Sequence, residues 1–174
     1  MSQELLLQTL LHTKLRRPRA VGQIVQRPRL NDLLQRSLSL PLTLVSAPAG
    51  YGKSTLLALW LDEIDVPWAW YSIDSRDNSL GEFVAYLTAA IDLAYPGCAA
   101  TLQALLQNPT LPSPDWLADL FVRELNALPG ELILVLDDYN EITALDVNVF
   151  LSRTVQNMPH GVHFILLTRL DPAL

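Results

Sequence analysis

The residues best suited to chemistry are Ala47-Pro48-Ala49-Gly50-Tyr51-Gly52-Lys53-Ser54-Thr55, set directly after the apolar run Leu42-Thr43-Leu44-Val45. Binding a phosphate chain takes several backbone N–H groups turned into one concavity, a helix N-terminus beneath them and a positive point charge within reach. Gly50 and Gly52 let the backbone curl close to an anion, Lys53 supplies charge for the outer phosphates, and the Ser54 hydroxyl is the expected magnesium ligand. In its strand-loop-helix setting the stretch reads as a P-loop, a Walker A motif, and the expected ligand is a nucleoside triphosphate. Ala47 stands where the strict pattern Gly-x-x-x-x-Gly-Lys-Ser has its first glycine. Alanine serves there if its φ stays negative. The competing reading, a glycine-containing turn before an ordinary helix, leaves Lys53 and the two hydroxyl residues after it without a reason.

A second signal is the run Glu131-Leu132-Ile133-Leu134-Val135-Leu136, which passes into Asp137-Asp138. A continuous apolar run ending in acids reads as a buried parallel strand that delivers carboxylates to the C-terminal edge of a sheet, where open α/β folds bind ligands. Asp137 is expected to hold magnesium through water, as a Walker B acid does, and Asp138 to polarise an attacking water or sense the terminal phosphate. Taken alone, such a run is common; the upstream P-loop gives it meaning. A third run, Val162-His163-Phe164-Ile165-Leu166-Leu167, ends in Thr168-Arg169. If that strand lies between the other two, Arg169 emerges beside the terminal phosphate; the alternative is a surface arginine closing a strand.

These groups need a sheet with crossover helices to hold them, and the pattern between them supplies one. Leu56, Leu57, Trp60 and Leu61 keep helical spacing after the loop, and Pro67 to Ile73 reads as a strand. Ser79-Leu80-Gly81-Glu82 has the form of a capping box opening a helix with Phe83, Val84, Leu87 and Ile91 on its apolar face. Ser113-Pro114 starts another, carrying Trp116, Leu117, Leu120, Phe121 and Leu125 on its core face, and Val147, Phe150, Leu151 and Val155 mark a last one. The segment Pro96 to Pro114 allows a short helix around Leu102 to Leu106. The fold expected is α/β, a three-layer sandwich of the P-loop NTPase type around a mainly parallel sheet.

With 174 residues, half of them hydrophobic, the chain can bury a sizeable core, and no stretch approaches the roughly 20 uninterrupted apolar residues of a membrane span. No membrane partner is expected. The start, Met1-Ser2-Gln3-Glu4, has no charged segment leading into an apolar run, and the lone Cys98 suits a reducing compartment, so the expected location is cytoplasmic. His12, His160 and His163 lack metal-site spacing and read as core or surface residues. Within residues 1–36, seven cations (Lys14, Arg16, Arg17, Arg19, Arg27, Arg29, Arg36) face two acids (Glu4, Asp32), a net of +5, so the remainder carries −11 to reach the total of −6. A basic arm without aromatic interleaving is expected to wrap its own acidic body or line the nucleotide pocket rather than grip nucleic acid. The division expected is therefore a basic arm at 1–36 contributing to the nucleotide site and a P-loop NTPase core at 37–174.

Taken together, Leu11-His12-Thr13-Lys14-Leu15 with Pro18, Val25-Gln26-Arg27-Pro28-Arg29-Leu30, the stretch Pro41 to Thr55, Trp70 to Asp74 with Asp77-Asn78, Leu134 to Tyr139, and Thr168-Arg169 with Asp171-Pro172 resemble the nucleotide-binding domain of MalT-like, LuxR-family ATP-dependent transcriptional regulators, members of the STAND class of P-loop ATPases. The family's own loop carries Ala at the position of Ala47. Where it usually has His after Asp-Asp-Tyr, this chain has Asn140.

The resemblance implies an ATP-driven switch in which ATP and an inducer favour an assembling form and ADP holds a closed monomer. It places Val25 and Arg27 on the adenine side, with Ala49, Gly50, Tyr51, Gly52, Lys53, Ser54 and Thr55 around the phosphates, Ser54 and Asp137 on magnesium, Asp138 on the water and Arg169 on the terminal phosphate. Without a clear arginine finger turnover is expected to be slow, by roughly a thousandfold or more. Partners implied are nucleotide, a second copy through the nucleotide domain, and DNA only through a C-terminal domain outside these residues. In such ATPases a fifth strand after Asp-Pro gives the order 5-1-4-3-2 and a helical lid follows. The chain is accordingly expected to be a fragment, a truncated reading frame or a reduced relative, C-terminally truncated and lacking that strand and lid, with the P-loop strand at an open edge. Two other readings stand beside the switch: a small P-loop kinase, for which Arg76 and Arg123 make a poor arginine lid, and a non-catalytic nucleotide-binding or interaction module.

Overall fold

A computed structural model describes residues 10–19, 25 and 27–172; the Met1 to Glu4 start and Gln26 of the Val25–Leu30 motif lie outside these. Four strands, β1 (Leu42–Ser46), β2 (Trp68–Ser72), β3 (Leu132–Asp137) and β4 (Val162–Thr168), form one fully parallel sheet in the order β1-β4-β3-β2. The register runs from Leu42 opposite Phe164 to Ser46 opposite Thr168, so β4 does lie between the strand of the phosphate loop and the strand of the acid pair. Among the described residues β1 has one neighbouring strand and is an edge, with Leu44 41% exposed.

Among the described residues α1 (Pro28–Ser37) precedes β1, and five helices join the strands: α2 (Lys53–Trp60), α3 (Leu80–Ala94), α4 (Ala100–Leu105), α5 (Pro114–Asn126) and α6 (Leu145–Gln156). Alternation along the buried strands divides the core into two layers. Tyr71, Leu132, Leu134, Leu136, Phe164 and Leu166 pack with Phe83, Phe121 and Phe150 from α3, α5 and α6. Trp70, Ile133, Val135, Ile165 and Leu167 point to the other face and meet Leu34, Leu57 and Trp60 from α1 and α2. Both faces of β3 and β4 are therefore covered, which is why those strands read as unbroken apolar runs.

Two expectations are corrected. Ser79 does precede α3, but its side chain makes no cap bond; the reciprocal box lies upstream, where Asp74 caps the 3-10 turn Ser75–Asp77 and the Asp77 carboxylate accepts from the Asp74 N–H at 2.8 Å. Trp116 is not core. It is 47% exposed, because it lies beside the Ser113 cap that accepts its N–H, off the face that Leu117, Leu120 and Phe121 bury.

The basic arm lies on the acidic body at two places. Lys14, in the 3-10 turn His12–Leu15, is buried and donates to both carboxylate oxygens of Asp77 at 2.7 Å and pairs with Asp74 at 2.9 Å. Burial works against the Lys14 ammonium, but the hydrogen bonds and charges of Asp77 and Asp74 outweigh it and hold its pKa above the ordinary value. Arg17 stacks over the Trp68 ring at 5.3 Å, donates to the Ala58 carbonyl and pairs with Asp62 at 2.5 Å. His163 is a core residue: its Nδ1–H donates to the Leu40 carbonyl, which leaves Nε2 to accept the Thr43 hydroxyl at 2.9 Å. No helix among the described residues is long and apolar enough to cross a membrane.

Candidate functional site

The loop after β1 continues the ladder by one bond, Ala47 N–H to the Thr168 carbonyl at 3.2 Å. Ala47 keeps a negative φ, since Asp138 is the only non-glycine residue at positive φ among those described. That is the condition under which alanine replaces the first glycine of the pattern. Gly50 and Gly52 do take left-handed φ values, 82° and 78°, and a Cβ at either would meet nothing within 4 Å. The demand there is on the dihedral, not on space. Gly52 is the N-cap of α2, which starts at Lys53 with no side-chain cap and no acid in its first turn. The first-turn N–H groups and the positive end of the helix dipole are thus left for an anion.

Lys53 folds back over its own loop, Nζ donating to the Ala47 carbonyl at 2.7 Å and to that of Pro48 at 3.3 Å. The Ser54 hydroxyl donates to Asp137 Oδ1 at 2.9 Å. That bond joins the loop to the C-terminal end of β3 and puts a hydroxyl and a carboxylate at one point. Burial pushes the Asp137 carboxyl up to about 6, the neighbouring Asp138 charge adds to the rise, and the Ser54 bond, the Asp138 N–H and Lys53 oppose it. Ser54 and Asp137 are hard oxygen donors of the kind magnesium takes alongside water and phosphate oxygens. Among the described residues no group of three or more His, Cys, Asp or Glu side chains converges to hold a metal without such help.

Because the folded-state pKa of Asp137 lies above the unfolded carboxylate value, its ionisation opposes folding: the penalty is absent below the unfolded pKa and complete above about 6. Asp137→Asn keeps an oxygen for Ser54 and for the Asp138 N–H, which bonds Oδ1 at 3.0 Å. The expected result is a ligand-free fold stabilised by on the order of 2 kcal/mol at about pH 7.5, with no gain below about pH 4. Urea midpoints of parent and variant across that range check it.

Asp138 follows at φ 57° and ψ 41°, a strained conformation for a residue with a Cβ and one that clusters at functional sites. Its carboxylate accepts from Arg169 Nη2 at 3.3 Å, and Asn140 Oδ1 accepts the Arg169 N–H at 3.1 Å. Arg169 therefore stands at the acid pair, as expected for a strand between β1 and β3. Arg27 reaches the loop, Nη1 donating to the Tyr51 carbonyl at 3.3 Å. With Leu30, Leu33, Leu44, Tyr51 and Lys53 it lines a cleft of about 330 Å³ beside the edge strand. Ala49 and Thr55 are exposed on the loop and first turn. Val25 is 76% exposed and is not brought to this cluster by any contact among the described residues. Sequence reasoning gave no role to Asn140, seen only as a departure from the family's His, nor to Asn78, noted only within the resemblance, whose bonds to Glu141, Thr143 and Ala144 span more than sixty residues.

Strand order, glycine-shaped loop and acid-ended central strand define an α/β domain of the P-loop NTPase class. The chain matches no known family model. It is similar to the HTH-type transcriptional regulator MalT of Yersinia enterocolitica, 38% identical over 167 residues that cover 95% of this chain and 18% of that protein. Against MalT of Yersinia pestis (strain Pestoides F) it is 36% identical over 166 residues, with the same coverage of 95% and 18%. The resemblance to the MalT-like regulators thus holds along nearly the whole chain, which spans 18% of the length of these curated relatives. Among solved structures it is similar to a chain in the structure of Drosophila ORC bound to AT-rich DNA and Cdc6, with a TM-score of 0.50 and 12% identity, covering 82% of this chain and 46% of that one. That likeness is one of fold alone. The sequence likeness and the fold together support a P-loop domain.

Proposed function

We propose that this chain is the nucleotide-binding switch domain of a signal-responsive transcriptional regulator. It binds Mg·ATP, hydrolyses it slowly and differs in assembly between its ATP and ADP forms. The observation that carries the reading is the 2.9 Å bond from Ser54 to Asp137, which brings the loop hydroxyl and the strand carboxylate to one metal-sized locus. The main-chain curl of Gly50 to Ser54 would cradle the phosphates, and Lys53 would exchange its two carbonyl acceptors for phosphate oxygens. Magnesium, held by Ser54 and Asp137, would offset charge on the outer phosphates. Asp138 would orient a water, and Arg169, now paired with Asp138, would turn to the terminal phosphate. A switch needs contacts that differ between its states, and a contact only the triphosphate can make supplies one.

Arg27, bound to the Tyr51 carbonyl, supports an arm over residues 1–36 that contributes to the same site, with 37–174 as the core. The proposal extends to self-association through this domain, a cytoplasmic setting and DNA contact through a separate C-terminal domain, the last supported by the likeness to a regulator described as HTH-type. The kinase reading loses ground because Arg76 is already paired with Asp74 at 2.8 Å and Arg123 lines a separate cleft beside Cys98. Titration of the chain with ATP and ADP, with and without magnesium, together with phosphate release, tests the proposal. Saturable, magnesium-strengthened ATP binding with slow release is expected; no binding of either nucleotide at millimolar concentration would sink it.

A further inference from the structure

The turn after the acid pair is clamped by a side chain from the segment that follows β2. Asn78 follows the 3-10 turn Ser75–Asp77 at the end of β2. Its Nδ2 donates to the Glu141 carbonyl at 2.7 Å and to the Ser75 carbonyl at 3.1 Å. Its Oδ1 accepts from the N–H groups of Thr143 at 2.6 Å and Ala144 at 2.9 Å, and from the Thr143 hydroxyl at 3.2 Å. A primary amide has two N–H donors and one carbonyl acceptor, so this side chain is fully used.

These bonds close the far end of the 3-10 turn Tyr139–Glu141, whose near end is Asp138 in its left-handed conformation. Such a conformation persists only where the surroundings over-determine it. On the β4 side the same turn is tied by Asn140 to the Arg169 N–H and by Asp138 to the Arg169 guanidinium. Beneath it Tyr139 is buried, its hydroxyl donating to Asn148 at 2.8 Å. Asn78 supplies the clamp on the β2 side.

We propose that Asn78 is a positioning residue of the nucleotide site: it fixes the turn that carries Asp138 and Asn140, so that the Asp138–Arg169 pair meets a terminal phosphate, and ATP is told from ADP through a residue that touches neither. The inference rests on the P-loop reading above. The phosphate loop has its own anchors in Ala47, Gly50, Gly52 and Ser54, so losing the Asn78 clamp should leave the grip on the inner phosphates intact while blurring the response to the outermost one.

The test compares parent, Asn78→Ala and Asn78→Asp for ATP and ADP affinity, phosphate release at saturating Mg·ATP and thermal midpoint. Asn78→Asp retains the volume and the acceptor for Thr143 and Ala144 but loses the donors to Glu141 and Ser75, which keeps the test valid if the alanine variant unfolds. The expected result is ADP affinity within about threefold of the parent, an ATP-to-ADP affinity ratio moved towards one and phosphate release reduced at least about tenfold. A parent ratio already at one, or an unchanged ratio and rate in the variants, overturns the inference. So does a loss of both affinities in step with the thermal midpoint, which would make the role one of scaffolding. Lys53→Ala, measured in parallel, separates the two levels. If it retains parental nucleotide affinity the P-loop reading fails; if it loses binding while the Asn78 variants match the parent, only the positioning role fails.

Discussion

Lys53→Ala should lower the affinity for ATP on the order of a hundredfold while leaving the fold in place. A charge-assisted hydrogen bond contributes roughly 1.5–3 kcal/mol, and an ammonium serving oxygens of two phosphates reaches the upper part of that range. The loop itself does not depend on this side chain for its shape, because its curl is set by Gly50 and Gly52 and its ends are fixed by the Ala47 N–H bond to Thr168 and the Ser54 bond to Asp137. What the ligand-free chain loses is the pair of bonds from Nζ to the Ala47 and Pro48 carbonyls, the latter exposed. The thermal midpoint should therefore shift little. Titration with ATP at saturating magnesium, read beside thermal unfolding of the ligand-free variant, separates lost binding from lost structure. Parental affinity in the variant would remove the central support for a nucleotide site.

The second large effect is on stability. Lys14→Met should destabilise the chain by about 3–5 kcal/mol, because it leaves the Asp77 carboxylate, 0% exposed, without its cation. Arg76 does not substitute, since its guanidinium is taken by Asp74 on the surface side of the turn. The loss should be larger than that of an exposed pair such as Arg153 with Asp119, where solvent screens both charges. Adding Asp77→Asn should recover most of it: the amide oxygen still accepts the Asp74 N–H that closes the capping box, and no buried charge remains. Urea midpoints of the parent, the single variant and the double variant form the check. A single variant as stable as the parent would mean that the arm contributes nothing to holding the turn after β2.

Much of the architecture was legible because buried parallel strands show themselves directly. Leu132 to Leu136 and Val162 to Leu167 are apolar on both faces, and both faces are covered. The P-loop was legible for a different reason: Gly50, Gly52, Lys53 and Ser54 meet demands that are local in sequence, and the backbone there meets them within a few residues. The misreadings share a cause. Ser79 and Glu82 have capping-box spacing, but the chain entering α3 is organised by Asp74, Asp77 and Asn78, through bonds to residues as far away as Lys14 and Ala144. Trp116 lies at the margin of the buried face of α5, whose first turn packs through Leu117 at 0% exposed. Asn78 reaches Glu141, Thr143 and Ala144, and Asn140 reaches Arg169, only because tertiary structure brings those partners to them. Spacing along the chain carries no trace of those bonds.

Among the described residues the strand that delivers the P-loop is flanked on one side, and the strand that delivers Asp137 is flanked on both. A β-strand braced along a single border shears more readily than one gripped along two, so the two halves of this locus differ in compliance. Lys53 and Ser54 ride on the yielding half, Asp137 and Asp138 on the stiff one. If, as proposed, a bound anion draws the halves together, the outer strand over residues 42–46 is the one expected to take most of the displacement.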